Sequence, residues 1–290
     1  MKRSSLIALL LLLPWLITFI VFWLFPLLMS LIAGFTDYSL LSRSSTEWIG
    51  WNNYRELFVD EDFLSAVKNT FIFVFGSVPV TTVLALLMAL LVNRRLPGRG
   101  LFRAGFFLPS ITSMVVIALI FTNLYQRGGY VAMLAAMVGF TPPEHGFLYS
   151  NSTALYSIMA MDIWMSVGYY MLIFLAGLKS IPAELYEAAR IQGASSMRQL
   201  FSITLPLLRP VALFIVVINS IKSFQIFVEI FVMTKGKFDT ASMVYFIYDV
   251  GVTTAFRFGY ASAAAYVLFL IVAIFSTVQF LLLRKRRPIW

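Results

Sequence analysis

Four stretches of this chain, 4–36, 69–93, 104–126 and 258–283, contain no charged side chain at all. A helix needs about 20 mostly apolar residues to cross the hydrocarbon of a bilayer, and each stretch is long enough. Two more stretches are apolar but interrupted: 152–178 holds Asp162, and 211–233 holds Lys222 and Glu229. With 60% of its 290 residues hydrophobic and only 12% charged, the chain has too little polar surface to solvate six such helices in water. The pattern predicts an all-α membrane protein of one domain, 1–290, with six transmembrane helices near 6–34, 70–92, 104–125, 153–177, 210–233 and 260–283. An ordinary soluble enzyme is excluded. The absence of cysteine excludes disulfides, thiolate metal sites and Fe–S clusters, and a single histidine, His145, excludes a multi-histidine metal centre.

The formal charge of +9 has a position as well as a size. Lys2 and Arg3, then Arg94, Arg95, Arg99 and Arg103, then Lys179, Arg190, Arg198 and Arg209, then Arg284 to Arg287 lie on alternate segments between the spans. These segments hold 14 of the 22 basic residues and two acids, Glu184 and Glu187; the opposite loops hold 7 basic residues and 9 acids. By the positive-inside rule this places both termini in the cytoplasm and requires an even number of spans. The charge therefore reads as a topology label and not as a nucleic-acid surface. A signal peptide at the start is disfavoured, because the apolar run is too long and no small-x-small cleavage site ends it.

Two loops carry more pattern than connection requires. Outside, 37–68 contains Trp48, Trp51 and Tyr54 and the acidic cluster Asp60-Glu61-Asp62, which suits either headgroup anchoring or docking of an external partner. Inside, 179–209 is too polar to span. Pro182 fits a first helical turn, Glu184 and Glu187 suit the helix N-terminal half, and Leu185, Ala188, Ala189 and Ile191 form an apolar stripe. Gly193 reads as a helix stop. Ser196 with Gln199 reads as a capping box opening a second helix that runs to Pro206. The element is helix–glycine elbow–helix, and its stripe fits a lipid surface or a cleft on a partner equally well.

Glu187-Ala188-Ala189, Gly193-Ala194, Ile203, Leu205-Pro206 and Pro210 in this spacing resemble the EAA loop of ABC importer permeases, which lies between the fourth and fifth of six spans. Gly50-Trp51-Asn52-Asn53-Tyr54, Phe107-Leu108-Pro109, Leu175-Ala176-Gly177-Leu178, Ser223-Phe224-Gln225 and Gly259-Tyr260-Ala261-Ser262-Ala263 are similar to its carbohydrate branch of maltose, glycerol-3-phosphate and multiple-sugar permeases. Two positions depart from the pattern: Gln192 stands where Asp is common before the loop glycine, and Gly236-Lys237-Phe238 where Gly-Gly-Pro is common. The resemblance implies a transport subunit in a bacterial or archaeal inner membrane, paired with a second permease subunit. A cytoplasmic ABC ATPase dimer would bind Glu187, Ala188, Ala189, Gly193, Ala194 and Pro206, although Glu187 also suits a purely structural helix-dipole role. An external solute-binding protein would deliver a carbohydrate. No Walker A pattern occurs in the chain, so ATP and magnesium are expected on the ATPase and no cofactor on this chain.

Ionisable residues inside a bilayer cost about 2.5–3.5 kcal/mol or more and are functional candidates. Asn219, Lys222, Gln225 and Glu229 share one face if the fifth span is a continuous helix, with Asp162, Trp164 and Tyr169 of the fourth as companions. The set reads either as a structural pair between Lys222 and one of the acids or as a sugar pathway. The same charges admit an ion-gradient-driven secondary transporter, which leaves the 182–210 loop unexplained and expects repeated broken helices. No nucleophile–base set or metal-ligand cluster supports a membrane enzyme.

Overall fold

The computed structural model describes residues 3–39, 41, 46–94 and 97–284. Lys2, Arg95 and residues 285–287 of the basic segments, and Arg43, one of the seven basic residues of the opposite loops, lie outside the described residues. No strand occurs among the described residues, only two isolated bridges. The helices are α1 (Arg3–Phe19), α2 (Phe25–Ala33), α3 (Asn52–Leu57), α4 (Glu61–Asn93), α5 (Arg99–Ile111), α6 (Met114–Leu124), α7 (Tyr130–Met137), α8 (Ala154–Lys179), α9 (Ala183–Ile191), α10 (Ser196–Gln199), α11 (Leu205–Phe224), α12 (Val228–Met233), α13 (Met243–Tyr248) and α14 (Phe258–Arg284). Among the described residues five helical stretches are long and apolar enough to cross a membrane, and a sixth is reached only if the bent pair α5–α6 counts as one span.

Three expected spans differ in detail. The stretch expected as a helix over 104–125 bends by 97° between α5 and α6. Ser110 and Thr112 accommodate this: Ser110 donates to the Phe107 carbonyl and Thr112 to the Leu108 carbonyl, so side chains cover carbonyls at the bend. The fifth span starts earlier and stops earlier than 210–233, running from Ser196 to Phe224. The second starts at Glu61, because Asp60 accepts from the amides of Asp62 and Phe63 and caps it.

Two π-helical turns sit directly before prolines. Ile20–Leu24 precedes Pro26 and Leu200–Thr204 precedes Pro206. A proline ring clashes with the carbonyl four residues back and offers no N–H. Widening the preceding turn, with Phe25 donating to Ile20 and Leu205 to Leu200, keeps the helix going through the clash. The second helix expected over 196–206 is thus the continuous foot of the fifth span.

Contacts divide the chain into two units, Met1–Leu64 with Phe246–Leu270, and Ser65–Tyr245 with Ile271–Trp290. In the first unit the amide of Asn53, 2% exposed, donates to the Gly34 and Thr36 carbonyls and folds the segment after α2 back on itself. Trp48 stacks on Phe35 at 5.5 Å and Trp51 meets the same ring edge-on at 5.0 Å. Arg257 grips Glu56 with two 2.6 Å hydrogen bonds and lies over the Tyr260 ring. Residues 46–64 thereby form a turn, the short helix α3 and the start of α4, not a long loop. Apolar side chains of the first span, such as Leu11 and Trp15 of α1 and Phe22 and Trp23 of the π turn, stay exposed, as a lipid-facing span requires.

The second unit is built around α8, the most enclosed helix. One core joins Phe73, Ile117, Ile158, Met161 and Ile230; another joins Ala85, Met171, Phe174, Leu208 and Ile215. Gly168 permits the close approach of α5, since a Cβ there would collide with the Phe106 carbonyl. Pairing by small residues replaces the hydrophobic drive that lipid removes.

Candidate functional site

The 183–199 element keeps its own backbone in order. Pro182 stands at the N-cap of α9 rather than in its first turn, with Glu184 in that turn. At the other end Gly193 has φ +76°, its amide bonds the Arg190 carbonyl, and the Ala194 amide reaches the Ala189 carbonyl. This is a Schellman stop, which requires a left-handed residue. A Cβ at Gly193 would meet nothing within 4 Å, so the backbone angle alone selects glycine within this chain. The cap of α10 is Ser195, one residue before the expected Ser196; its hydroxyl accepts from the Arg198 amide. Gln199 does reach back, donating to the Ala194 carbonyl at 2.9 Å. Tyr186 and Thr204 share a 2.9 Å hydrogen bond that ties α9 to the foot of the fifth span.

What this element leaves open is its apolar face. Ile191 is 88% exposed, and Met197, Phe201, Ala188 and Pro206 are also exposed. Glu187 and Gly193 are exposed beside them, with Ala189 and Ala194 half-buried.

The intramembrane polar residues separate into different environments. Lys222 Nζ donates to Asp162 Oδ1 at 2.8 Å and to Ser166 Oγ at 2.7 Å. Asp162 is 3% exposed and Lys222 43% exposed, so the carboxylate is sealed and the ammonium faces a cavity of about 320 Å³. Ser110, Tyr169 and Tyr170 line that cavity with Lys222. The shared face expected for Asn219, Lys222, Gln225 and Glu229 does not form, because α11 stops at Phe224. Gln225 is its C-cap, Phe227 at φ −144° and ψ −57° is outside the helical region, and Ser242 donates to the Ile226 carbonyl freed by the break. Glu229 lies buried in the first turn of the separate α12, Gln225 is exposed, and Asn219 is buried away from the cavity. Trp164 lines a different, apolar cavity of about 830 Å³ between α4, α5 and α8.

Sequence reasoning missed the turn after α12. Lys235, Gly236, Phe238 and Asp239 all have positive φ. Left-handed backbone at non-glycine residues is strained and persists where surroundings enforce it. Here Thr234 and Thr240 share a 2.7 Å hydrogen bond, and Asp239 Oδ1 accepts from Ser65 and Asn69. Only the replacement of Gly-Gly-Pro by Gly236-Lys237-Phe238 hinted at an unusual turn. Among the described residues no group of three or more His, Cys, Asp or Glu side chains could hold a metal ion.

Comparison with known proteins gives consistent findings. A family model described as binding-protein-dependent transport system inner membrane component matches residues 63–288. A probable ABC transporter permease protein of Bacillus subtilis, YesP, is 34% identical over 273 residues, covering 92% of this chain and 87% of that protein. The lactose transport system permease protein LacF of Rhizobium radiobacter is 32% identical over 92% of this chain and 90% of its own length. Among solved structures, a bacterial alginate ABC transporter in complex with an alginate pentasaccharide-bound periplasmic protein matches with a TM-score of 0.82 and 25% identity, covering 96% of this chain and 93% of that one.

Proposed function

We propose, from the premise that this chain belongs to the family of binding-protein-dependent transport system inner membrane components, that it is a permease subunit of an ATP-driven sugar importer. It is a multi-pass inner-membrane transport component, as its family is. The sugar class rests on relatives such as the lactose permease. Both termini lie in the cytoplasm in this reading, which follows the basic residues. A second permease subunit completes the path, and an external solute-binding protein loads it. ATP and magnesium belong to a separate ATPase dimer, so this chain hydrolyses nothing itself.

The observation that carries the reading is the 183–199 element. Its elbow is capped on both sides by its own residues, Gly193 ending α9 and Ser195 opening α10, yet Ile191 and Met197, with Phe201 just beyond, are left open. Such a face suits a cleft on another protein. The ATPase grips Glu187, Ala188, Ala189, Gly193, Ala194 and Pro206, and its closure moves α9. Because α10, the π turn and α11 form one helix, displacement at Ser196 is carried along the fifth span to Lys222. The cavity at Lys222 lies where a sugar hydroxyl can accept its remaining N–H, since two are taken by Asp162 and Ser166. Asp162 positions the lysine; Gln225, Glu229 and Asn219 shape the surrounding helices and do not line this cavity. An ion-gradient carrier gains no support from the family membership.

The test is a mild-detergent pull-down of the tagged chain from its native membrane, with co-purifying proteins identified. Recovery of a second permease and an ATPase is the expected result. Recovery of the chain alone, with Gly193 and Glu187 variants fully active, would overturn the reading.

A further inference from the structure

On α4, α11 and α14, five buried side-chain atoms meet no protein hydrogen-bond partner: Thr81 Oγ1, Asn219 Nδ2 and Oδ1, Ser276 Oγ and Gln279 Oε1. Thr81 is 0% and Asn219 1% exposed. The contacts place these atoms along one seam. Phe71 meets Phe224 and Ser77 meets Ser223, so rising numbers in α4 face falling numbers in α11. One turn beyond Ser77, Thr81 therefore faces the level of Asn219. Phe275 meets Phe224 and Gln279 donates to Ser220 at 2.9 Å, so α14 also runs opposite to α11. Ser276 falls between those two contacts. Phe275, with its ring centroid 5.8 Å from that of Phe75 and 5.0 Å from that of Phe224, closes one end.

We propose that this seam is a binding site for a small cluster of water molecules inside the membrane. Polar groups shut away from water and left unpaired are costly, and in hydrocarbon no other solvent can satisfy them. The chemistry of the set distinguishes water from a cation. Thr81, Ser276, Asn219 and Gln279 offer neutral oxygens, which sodium would accept, but Asn219 Nδ2 is a donor and would point N–H at the ion. Water both donates and accepts, and buried water makes about three hydrogen bonds to such groups. Water also keeps the groups paired as α11 moves against its neighbours, which fixed side-chain pairs would not.

Hydroxyl-radical labelling by X-ray radiolysis of the assembled importer in lipid nanodiscs tests this, because radicals form at bound water. Phe224 is 0% exposed and borders the seam, while Phe174 is 1% exposed in an apolar core and serves as the control. The expected result is several-fold faster oxidation of Phe224 than of Phe174, reduced to the Phe174 rate in a Thr81→Val, Asn219→Leu double variant. Equal rates in the wild-type importer would overturn the proposal without any variant having to fold. Undiminished Phe224 labelling in a folded double variant would overturn it too, since the water would not be held by these groups. A thermal stability that falls when sodium is replaced by choline would overturn it in favour of a cation.

Discussion

The 183–199 element and the Asp162–Lys222 pair solve opposite problems. In the first, every cap is local: Ser195 serves Arg198, Gln199 serves Ala194, and Gly193 closes α9 within five residues. Its apolar side chains are left unanswered. In the second, partners 60 residues apart answer each other, and little is left open but one face of an ammonium. The first has a shape before any partner arrives and acquires its burial from outside. The second has its burial from inside, and its removal should be felt in stability before it is felt in coupling.

Gly193→Val tests the first half and should have the largest effect on transport. A left-handed residue other than glycine costs about 1–2 kcal/mol, and valine is among the worst. Sugar uptake by the reconstituted importer should fall on the order of tenfold or more, the equivalent of 1.4 kcal/mol or more in a rate. ATP hydrolysis should continue and membrane abundance should be unchanged. Gly193→Asn, which tolerates this backbone, separates two causes. Wild-type uptake by the Asn variant would assign the requirement to the turn; uptake as poor as with valine would assign it to close approach by the ATPase. Normal uptake by the Val variant would end the coupling role.

Asp162→Asn tests the second half through stability. Breaking a buried ion pair costs about 3–5 kcal/mol. The partial exposure of Lys222 discounts this to about 1–3 kcal/mol. The half-life of the purified complex at a fixed temperature should shorten accordingly. Adding Lys222→Met should restore much of the loss, because no uncompensated charge then remains. A double variant no better than Asp162→Asn would show that the pair does not hold α8 to α11.

Ser195→Ala should matter less, about 1 kcal/mol of local helix stability. Hydrogen exchange over 196–204 should quicken while the core of α8 keeps its protection. A uniform acceleration across both would blur the distinction between a locally built element and a globally built one.

The spans and the 183–199 element were legible in the sequence because their signals are local: charge-free length, a glycine after an apolar stripe, a serine before a short helix. Within 183–199 the errors are shifts of one residue, at Pro182 and Ser195, while the spans were right in place but not in their ends. What stayed hidden depends on contacts distant in sequence. The end of α11 at Phe224 is marked by neither proline nor glycine, and it is Ser242 that satisfies the freed Ile226 carbonyl. Reading 210–233 as one helix therefore placed Gln225 and Glu229 beside Lys222, where they do not lie. The bend at Thr112 was available in principle, since three hydroxyl residues in four can take carbonyls from a helix, but the apolar length around it dominated. The left-handed run at Lys235 to Asp239 had no local sign beyond one glycine.

Glu56 and Arg257 separate two variables that Asp162 and Lys222 combine, distance in sequence and burial. They lie 201 residues apart, farther than Asp162 and Lys222, yet are 47% and 44% exposed. If sequence distance set the value of an ion pair, this one would rival the buried pair; if burial does, it should be worth about 0–1 kcal/mol even with bidentate geometry. The hydrogen bond from Arg257 holds the Glu56 carboxyl below its ordinary value of 4.5, outweighing the opposing effect of burial. A carboxylate with a lowered folded value contributes stability that is fully present above its unfolded value and lost as pH falls through the folded one. The contribution should therefore be intact at neutral pH and fade only below about 4.5. Thermal melts of wild type and Glu56→Gln should differ by a small, constant amount at pH 6 to 8 and converge in acid, with the gap shrinking in high salt. A gap as large as that of Asp162→Asn, or one insensitive to salt, would show that geometry and not burial sets the strength of these pairs.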